Sequence, residues 1–378
     1  MPVQVRYVEF IPHEQGIIIR DPLGLVEPLL VSPETAMLIF AIATSESREE
    51  VREKFAEQTG LLVKDEDIDN LIKQLDELYL LYNDRFLSRL EEIERELQEQ
   101  PFKYMDVISD EEFLDFQSRV RKRMEVLGTG ESNSTTVGLL VPHIDYNVAM
   151  DTYVDAYSLV AGSSRNIVFI LGVPHSMARL PMSILNKPYH VYSTVVHNEE
   201  KVIEAIRSAL DFDPTRDILS FRNEHSIEFP VAFLSTVRLR PFRIVPIIVS
   251  EPDRERLQRF ADAIMRSIEG IEDRVLFISS VDFSHVGKKF GDAEPFDTSE
   301  VDRTYLDYLL NLQNNEAYEY LEELQNYTRI DGQYTNYLFV ELMKRIGVSG
   351  KLMDYRRYEE RETDSIVTYA SARFDVSK

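Results

Sequence analysis

Two apolar segments of this 378-residue chain each end in a Pro-His pair, although the whole sequence contains only seven histidines. The segment VGLLVPHIDY contains His143, and the segment IVFILGVPHS contains His175. Each segment predicts a buried strand whose last turn presents an imidazole. Because ligands of open α/β sheets bind beyond the carboxyl ends of the strands, we expect both histidines in one site. A neutral imidazole is a common metal ligand and a general base near neutral pH.

Two further histidines occupy comparable places. His285 closes the segment SSVDFSH, directly after the apolar segment RVLFI, and His225 lies in the polar loop NEHSIE. Asp282 precedes His285 by three residues and is placed either to orient that imidazole or to face the same cavity. Carboxylates beside ligating histidines often accept a hydrogen bond that fixes the ring tautomer, and Glu224 and Glu228 are candidates for this role.

The remaining histidines, and a search for several well-known motifs, give no further evidence of a functional site. A lone loop histidine is more often structural than functional, so we assign surface or packing roles to His13, His190 and His197. The sequence contains no P-loop, no GxGxxG after a strand and no GxSxG elbow, so nucleotide binding and serine hydrolysis have no support. The absence of cysteine excludes disulfides, thiolate metal ligands and a cysteine nucleophile.

Composition restricts the classes of partner. The chain carries 66 acidic and 42 basic residues, for a formal net charge of −24. Such a surface repels phosphates, so we expect neither nucleic acid nor an anionic membrane as a partner. No apolar stretch approaches the roughly 20 residues that span a bilayer, and the N-terminus lacks a signal-peptide pattern. We therefore expect a cytoplasmic protein.

Residues 1–85 are predicted to form a separate small domain. The segments GIIIRDP and LVEPLLV predict two strands joined by the turn DPLG, and three helices follow. Ser32, Ser47 and Asp65 mark the starts of these helices. A further short strand is expected at residues 80–82. Two strands followed by three short helices are typical of a winged-helix-like α+β module.

Residues 86–104 are predicted to form a charged linker helix, and residues 105–378 a larger domain. A polar stretch within it, GTGESNSTT, predicts a flexible break. Beyond it, the apolar segments VGLLVP, NIVFILG, FRIVPIIV and RVLFISS alternate with helical segments near residues 149–161, 199–210 and 253–269. Continuous apolar strands separated by helices predict an α/β fold with a central, mostly parallel sheet and helices on both faces.

The ordered motifs PHIDY, LGVPHS, EHSIE, SSVDFSH and IDGQYTN resemble those of the Memo family. The bacterial and archaeal branch of this family is called AmmeMemoRadiSam system protein B. The match covers roughly residues 105–375, and EHSIE together with DFSH is its most specific part. The family is related in fold to the LigB-type extradiol dioxygenases. The resemblance implies a central-sheet α/β domain with one cavity at the strand ends.

The resemblance also implies a metal site. The family's metal-site histidines correspond to His143 and His175, and its third position, usually a cysteine before a glycine, corresponds here to Asp331. Two imidazoles and one carboxylate suit non-haem Fe(II) and oxygen chemistry, so the expected cofactor is a divalent metal, Fe(II) foremost. Zn, Mn and Cu are alternatives, and copper is least favoured because a carboxylate is harder than a thiolate. The remaining cavity residues of the family correspond to His225, Asp282 and His285.

From this resemblance we predict that His285, assisted by Asp282, transfers protons and that His225 contacts the substrate. The predicted function is that of a metal-dependent, dioxygenase-like oxidoreductase acting on a small molecule or a peptide. One alternative is a non-catalytic protein that binds a peptide or partner in the same pocket, and another is that Asp331 marks a degenerated site. The branch name implies two partners, an AMMECR-type protein and a radical SAM enzyme.

The first 85 residues are similar to PqqD-like peptide-recognition modules. The similarity is carried by DPLGLVEPLLVSPETAMLIFAI and LIKQLDELYLL. It implies a winged-helix groove that captures a leader peptide by adding a strand to the sheet. A docking or dimerisation role for the same module is the open alternative.

Overall fold

The structure is a computed structural model that describes residues 3–127 and 135–376. Most of the polar stretch GTGESNSTT, which we predicted to be flexible, lies outside these residues. Among the described helices, none is both long enough and apolar enough to cross a membrane. A small N-terminal unit precedes a large α/β unit along the chain.

The N-terminal unit contains an antiparallel sheet followed by three helices. Side-chain caps fix two helix starts, because Ser32 Oγ accepts from the Thr35 N–H and Ser47 Oγ accepts from the Glu50 N–H, each at 3.2 Å. The bounds are β1 Glu9–His13, β2 Gly16–Arg20, β3 Leu29–Val31, α1 Pro33–Thr44, α2 Arg48–Thr59 and α3 Asp65–Glu77.

The strands of this unit differ from the prediction in three details. β1 was not predicted, and it forms a hairpin with β2. It contains Pro12, which lacks the N–H that an interior strand needs, and the edge position of β1 tolerates this loss. Of the predicted strand LVEPLLV, only β3 pairs with β2. The strand expected at residues 80–82 is an isolated bridge between Val5 and Leu81.

A helix, α4 (Asp84–Glu99), joins the two parts and ends before residue 104, where the predicted linker helix ends. Its buried face carries Phe86, Leu90 and Ile93, which pack with Leu23 of the N-terminal unit and Leu219 of the large domain. A two-residue strand follows it, β4 (Lys103–Tyr104).

The large domain alternates strands and helices. The bounds of its strands are β5 Thr136–Val141, β6 Ile167–Gly172, β7 Met182–Ile184, β8 Tyr189–Val191, β9 Thr194–Val196, β10 Arg243–Val249, β11 Val275–Ser280, β12 His285–Gly287, β13 Val348–Glu360 and β14 Ser365–Val376. The bounds of its helices are α5 Asp110–Leu127, α6 Tyr146–Ser158, α7 Glu200–Ala209, α8 His225–Val237, α9 Arg254–Ser267, α10 Ser299–Leu310, α11 Asn314–Glu323 and α12 Gln333–Ile346.

The centre of the main sheet is parallel, as predicted. β5, β11, β6 and β10 lie side by side in that order and run in one direction. Every residue of β5, β6 and β11 is buried, which explains their continuous apolar sequences. β14 and β7 add antiparallel neighbours on the two sides. The long hairpin β13–β14 was not predicted from the sequence.

Helices cover both faces of this sheet, and each face has its own core. On one face Ile203 of α7, Ile264 of α9 and Phe339 of α12 pack on the sheet. On the other face α5, α6 and α8 pack through aromatic side chains, with the ring of Phe233 4.7 Å from that of Phe116 and 4.4 Å from that of Tyr153. The predicted α/β class is therefore confirmed.

The N-terminal unit and the linker helix are fastened to the large domain by cations that bind backbone carbonyls. Lys187 Nζ donates to the carbonyls of Leu97 at 2.5 Å and Gln98 at 3.0 Å, which end α4. Arg222 donates to the carbonyls of Leu23 at 2.5 Å and Gly24 at 3.1 Å. Because carbonyl acceptors are fixed to the chain, these bonds hold the two parts in a defined arrangement.

A buried ion pair fastens the segment after α4 to α8. Lys103 is 2% exposed and Glu228 is 0% exposed, and Lys103 Nζ donates to Glu228 Oε1 at 2.8 Å. The other carboxylate oxygen accepts from the backbone N–H groups of Asp106 at 2.7 Å and Val107 at 3.0 Å. Burial raises the pKa of Glu228 to about 7, although the charge of Lys103 acts in the opposite direction.

We expect Glu228→Ala to lower the free energy of unfolding by about 2–4 kcal/mol, because Lys103 then keeps only Asp106 as an ionic partner and the N–H groups of Asp106 and Val107 lose their acceptor. Denaturant unfolding followed by circular dichroism measures the change. Glu49→Ala is the matched control, since Glu49 pairs with Arg52 at the exposed surface, where we expect a loss below about 1 kcal/mol. Equal losses in the two variants would contradict the assignment.

Candidate functional site

Four histidines meet in one cavity at the carboxyl ends of the parallel strands. We call this space, which has a volume of about 580 Å³, the histidine cavity, and its floor consists of His143, His175, His225, His285 and Asp282. These residues come from four separate chain segments, and the fold brings them together as the strand-end argument requires.

His143 follows β5 and is held by the neighbouring strand β11. Its Nδ1 lies 3.1 Å from the carbonyl oxygen of Ser280, the last residue of β11. Because a carbonyl can only accept, Nδ1 carries the proton and Nε2 faces the cavity. The backbone N–H of His143 donates to Asp282 Oδ1 at 3.0 Å. The register of two adjacent parallel strands thus orients this imidazole.

His175 follows β6 and is held by Glu224. The Glu224 carboxylate lies 2.8 Å from His175 Nδ1 through one oxygen and accepts from the His175 backbone N–H at 2.9 Å through the other. Burial acts to raise the pKa of Glu224, but the charge of His175 and these hydrogen bonds outweigh burial and lower that pKa. The ionised carboxylate therefore fixes the proton on Nδ1 and leaves Nε2 for a ligand.

The two glutamates that were candidates for fixing a ring tautomer have different roles. Glu224 takes this role, at His175, and Glu228 is occupied by Lys103. Both glutamates lie close to His225 in sequence, but the helical start of α8 turns successive side chains in different directions.

His225 is the first residue of α8, which approaches β6 closely. A Cβ at Gly172 would lie 2.4 Å from Ser226 Oγ, so glycine is required at this contact. Ser226 Oγ donates to the carbonyl of Val173 at 3.1 Å. The resulting position puts the His225 ring 4.0 Å from the His175 ring and 5.0 Å from the His143 ring, between ring centroids.

His143, His175 and His225 form a group that could hold a metal ion. One ring nitrogen from each lies within 4.8 Å of the other two. Nitrogen ligands bind zinc-like ions at about 2.0–2.1 Å, so these three nitrogens have to approach to within about 4 Å of one another to share one ion.

Asp331, which the sequence analysis predicted as the third ligand, lies beside this group. Its Oδ2 is 2.8 Å from His143 Nε2, and its Oδ1 accepts from the Asp282 N–H at 2.8 Å. Gly332 follows it with a φ of +65°, and a Cβ there would lie 2.2 Å from Val281 Cγ1. The structure thus brings Asp331 to His143, while the three-residue group contains His225, for which the sequence suggested substrate contact.

His285 faces the cavity from the side of β12. Its Nδ1 donates to the carbonyl of Arg329 at 3.1 Å, which leaves Nε2 free to exchange a proton. Among the described contacts, Asp282 makes no hydrogen bond to this ring. Of the two placements that we considered for Asp282, it takes the second and faces the same cavity, 3.7 Å from His143 Nε2 through Oδ2.

Comparison with known proteins identifies the family. The sequence model described as "Memo-like protein" matches residues 115–373. The chain belongs to the Memo family. The resemblance drawn from the motifs is thereby confirmed.

Relatives in this family cover the chain to different extents. The chain is similar to a MEMO1 family protein of Aquifex aeolicus, at 35% identity over 375 residues, which cover 99% of this chain and 100% of the relative. A MEMO1 family protein of Thermus thermophilus is 28% identical over 327 residues, covering 84% of this chain and 96% of the relative. A memo-1 homolog of Caenorhabditis elegans is 29% identical over 170 residues, which cover 44% of this chain and 47% of the relative.

In the cavity of this Memo protein, the surroundings shift the pKa values of two neighbouring imidazoles in opposite directions. Burial acts to lower the pKa of His143, but the charges of Asp331 and Asp282 outweigh burial and raise it to about 10. Burial, together with the charges of His175 and His143, lowers the pKa of His225 well below its usual range. One imidazole is thus a cation bound to carboxylates, and its neighbour is neutral.

Sequence reasoning missed part of the cavity wall. Tyr146 and Phe229 line it, and so do Glu9 and Arg20 of the N-terminal hairpin. No local pattern singles these residues out, because each stands in an ordinary helix or strand. Only the packing of the N-terminal unit on the Memo domain places the hairpin residues there.

We expect the two imidazoles to titrate far apart in the metal-free protein. His143 should stay protonated from acidic pH up to about pH 10, and His225 should stay neutral at pH 6. Nitrogen-15 NMR of the imidazoles over pH 5–9 measures this. We expect Asp331→Asn to bring the pKa of His143 down, since it removes one compensating charge. A wild-type His143 that titrates between pH 6 and 7 would contradict the electrostatic account.

Proposed function

We propose that this protein is a metal-dependent, dioxygenase-like oxidoreductase that binds Fe(II) in the histidine cavity. The observation that supports it most directly is the group of three imidazoles within 4.8 Å of one another. In His175, Glu224 holds the proton on Nδ1 and leaves Nε2 for an ion. In His143, the carbonyl of Ser280 also holds Nδ1, and Nε2 lies 2.8 Å from Asp331, a contact that an ion would replace. This arrangement is the one by which proteins prepare histidines for a metal.

The chemistry of the donors fits Fe(II). The cavity offers imidazoles and carboxylates, and the whole chain has no cysteine to supply a thiolate. Such donors favour Fe(II), Mn(II) or Zn(II) over Cu(I). We assign His143, His175 and His225 as ligands, with Asp331 adjacent as a further oxygen donor. When bound at such a site with open positions, Fe(II) supplies oxygen chemistry.

Two residues of the cavity are suited to move protons. His285 has its Nδ1 committed to a carbonyl, so its Nε2 can accept a proton from a substrate hydroxyl. Burial raises the pKa of Asp282, and the charge of Asp331 adds to this, although the charge of His143 acts against it. A carboxyl group with a raised pKa can hold a proton and return it.

The size of the cavity limits the substrate. About 580 Å³ lies within the range of pockets for small molecules, roughly 300–1,000 Å³. Phe229 and Tyr146 give it an aromatic wall, while the histidines form a polar floor. We therefore propose a small organic substrate or the side chain of a peptide.

We expect the purified protein to bind one Fe(II) or Co(II) per chain under anaerobic conditions, as measured by elemental analysis and by isothermal titration. His143→Ala and His225→Ala should each weaken metal binding by at least about tenfold. Loss of a direct ligand should lower the metal affinity at least as much as loss of a group that only supports a ligand. His190→Ala is the control, because the His190 ring packs against Phe102 and Tyr104.

The same titration distinguishes the set of three histidines from the set of two histidines and Asp331. If Asp331→Ala abolishes binding while His225→Ala binds normally, the ligands are the two histidines and the carboxylate that the sequence suggested. If the wild-type protein binds no divalent metal, the proposed function is wrong.

A second candidate function, peptide or partner binding, is supported by an apolar groove in the N-terminal unit. The groove has a volume of about 310 Å³ and lies between the β1–β2 hairpin and α1, where Phe10, Ile17, Met37 and Phe40 line it. Phe40 is 47% exposed, which is unusual for so large an apolar side chain. A peptide, or the proposed AMMECR-type and radical SAM partners, would bind here.

Two substitutions distinguish this candidate from catalysis. We expect co-purification with the AMMECR-type and radical SAM partners to survive His143→Ala, which affects only the cavity. It should be lost in Phe40→Glu, which puts a charge into the apolar groove. Loss of the complex in His143→Ala instead would place the partner contact at the cavity.

A further inference from the structure

Part of the histidine cavity is built by residues outside the Memo domain. The family match begins at residue 115, yet Glu9 of β1 and Arg20 of β2 line the same cavity as the histidines. The N-terminal hairpin therefore forms part of the wall of the cavity.

Contacts of the segment that directly follows Arg20 fix the position of this residue. The next residue, Asp21, accepts two hydrogen bonds from Arg6, at 3.1 and 2.9 Å, and also accepts from the Leu23 N–H. Arg222 of the large domain binds the carbonyl of Leu23 and stands three residues before His225. A short chain of fixed contacts thus connects the hairpin to the start of α8.

The hairpin also reaches the segment that carries His285. β1 packs against the turn Lys288–Phe290, which directly follows β12. Lys289 and Phe290 line the cavity together with Glu9 and Arg20. The N-terminal unit therefore contacts two of the chain segments that supply histidines.

The guanidinium of Arg20 is only partly occupied by its partner, Glu9. Its Nε and Nη2 both bind one oxygen of Glu9. Within the described part of the chain, the remaining nitrogen, Nη1, has no hydrogen-bond partner, and the side chain is 50% exposed. Arg20 lines the cavity together with His175 and His225.

Other charged residues of the wall already have partners. Lys289 Nζ pairs with Glu360 at 3.1 Å. Glu112 accepts from Ser109 at the start of α5, and Asp145 accepts from the Asn147 N–H at the start of α6. Arg20 differs from Lys289 in its planar guanidinium, whose Nη1 has no hydrogen-bond partner within the described part of the chain.

We propose that Arg20 binds the carboxylate of an anionic substrate at the mouth of the histidine cavity, while the other end of that substrate reaches the metal. Guanidinium groups are suited to carboxylates because their N–H groups match the two oxygens. Glu9 orients the guanidinium before the substrate arrives. The acidic neighbours on the wall favour a singly charged carboxylate over a doubly charged phosphate. This assignment rests on the proposed metal site.

Hydroxamates provide a direct test, since the hydroxamate head binds a metal and the tail can be varied. The probes are acetohydroxamate, the monohydroxamates of succinic, glutaric and adipic acid, and an ammonium-tailed hydroxamate. Their dissociation constants are measured on the Co(II)-loaded full chain from the change in its visible spectrum. We expect at least one carboxylate-tailed probe to bind about tenfold or more tightly than acetohydroxamate, as a hydrogen bond to a charged group implies.

Arg20→Ala should abolish this preference and leave the affinity for acetohydroxamate unchanged, while Arg20→Lys should retain part of it. Arg48→Ala is the matched control, because Arg48 belongs to an exposed ion pair with Asp69 in the same unit, and it should keep the full preference. A preference that survives Arg20→Ala, or tighter binding of the ammonium-tailed probe, overturns the inference alone. If the wild-type chain binds no Co(II), both this inference and the proposed function fail.

Discussion

The parallel pairing of β5, β11 and β6 is the constraint on which the rest of the structure depends. Parallel strands point their carboxyl ends to the same edge, so the residues that follow them have to meet. His143 and His175 follow two of these strands, and Asp282 follows the third. The strands can run in this way only because helices cover both faces of the sheet, which leaves their interiors fully apolar.

The second requirement is compensation of buried charge around the cavity. A buried carboxylate is unfavourable unless hydrogen bonds or an opposite charge stabilise it. Glu224 meets this condition through His175, and Asp331 meets it through His143. Each compensation also orients an imidazole, so the contacts that permit the buried charges are the same contacts that prepare the ring nitrogens for a metal.

The N-terminal unit takes part in the same arrangement. Its contacts with the large domain are made largely by arginine and lysine side chains on backbone carbonyls, together with the apolar face of α4. The docked hairpin contributes Glu9 and Arg20 to the wall, while the apolar groove beside α1 remains open on another side of the unit.

The sequence by itself determined the α/β class, the Memo family and the histidines that meet in the cavity. It could do so because buried parallel strands have continuous apolar sequences and because strand ends dictate where the next residue lies. It failed for β1, which has an edge proline, and for the hairpin β13–β14.

Only the tertiary structure decided which carboxylate serves which imidazole and which residues complete the site. Glu224 stands next to His225 in sequence but binds His175, because the start of α8 directs its side chain towards β6. Arg20 is more than a hundred residues from every cavity histidine in sequence. Contacts between such distant segments arise from the docking of whole elements, and no local pattern in the chain records how those elements dock.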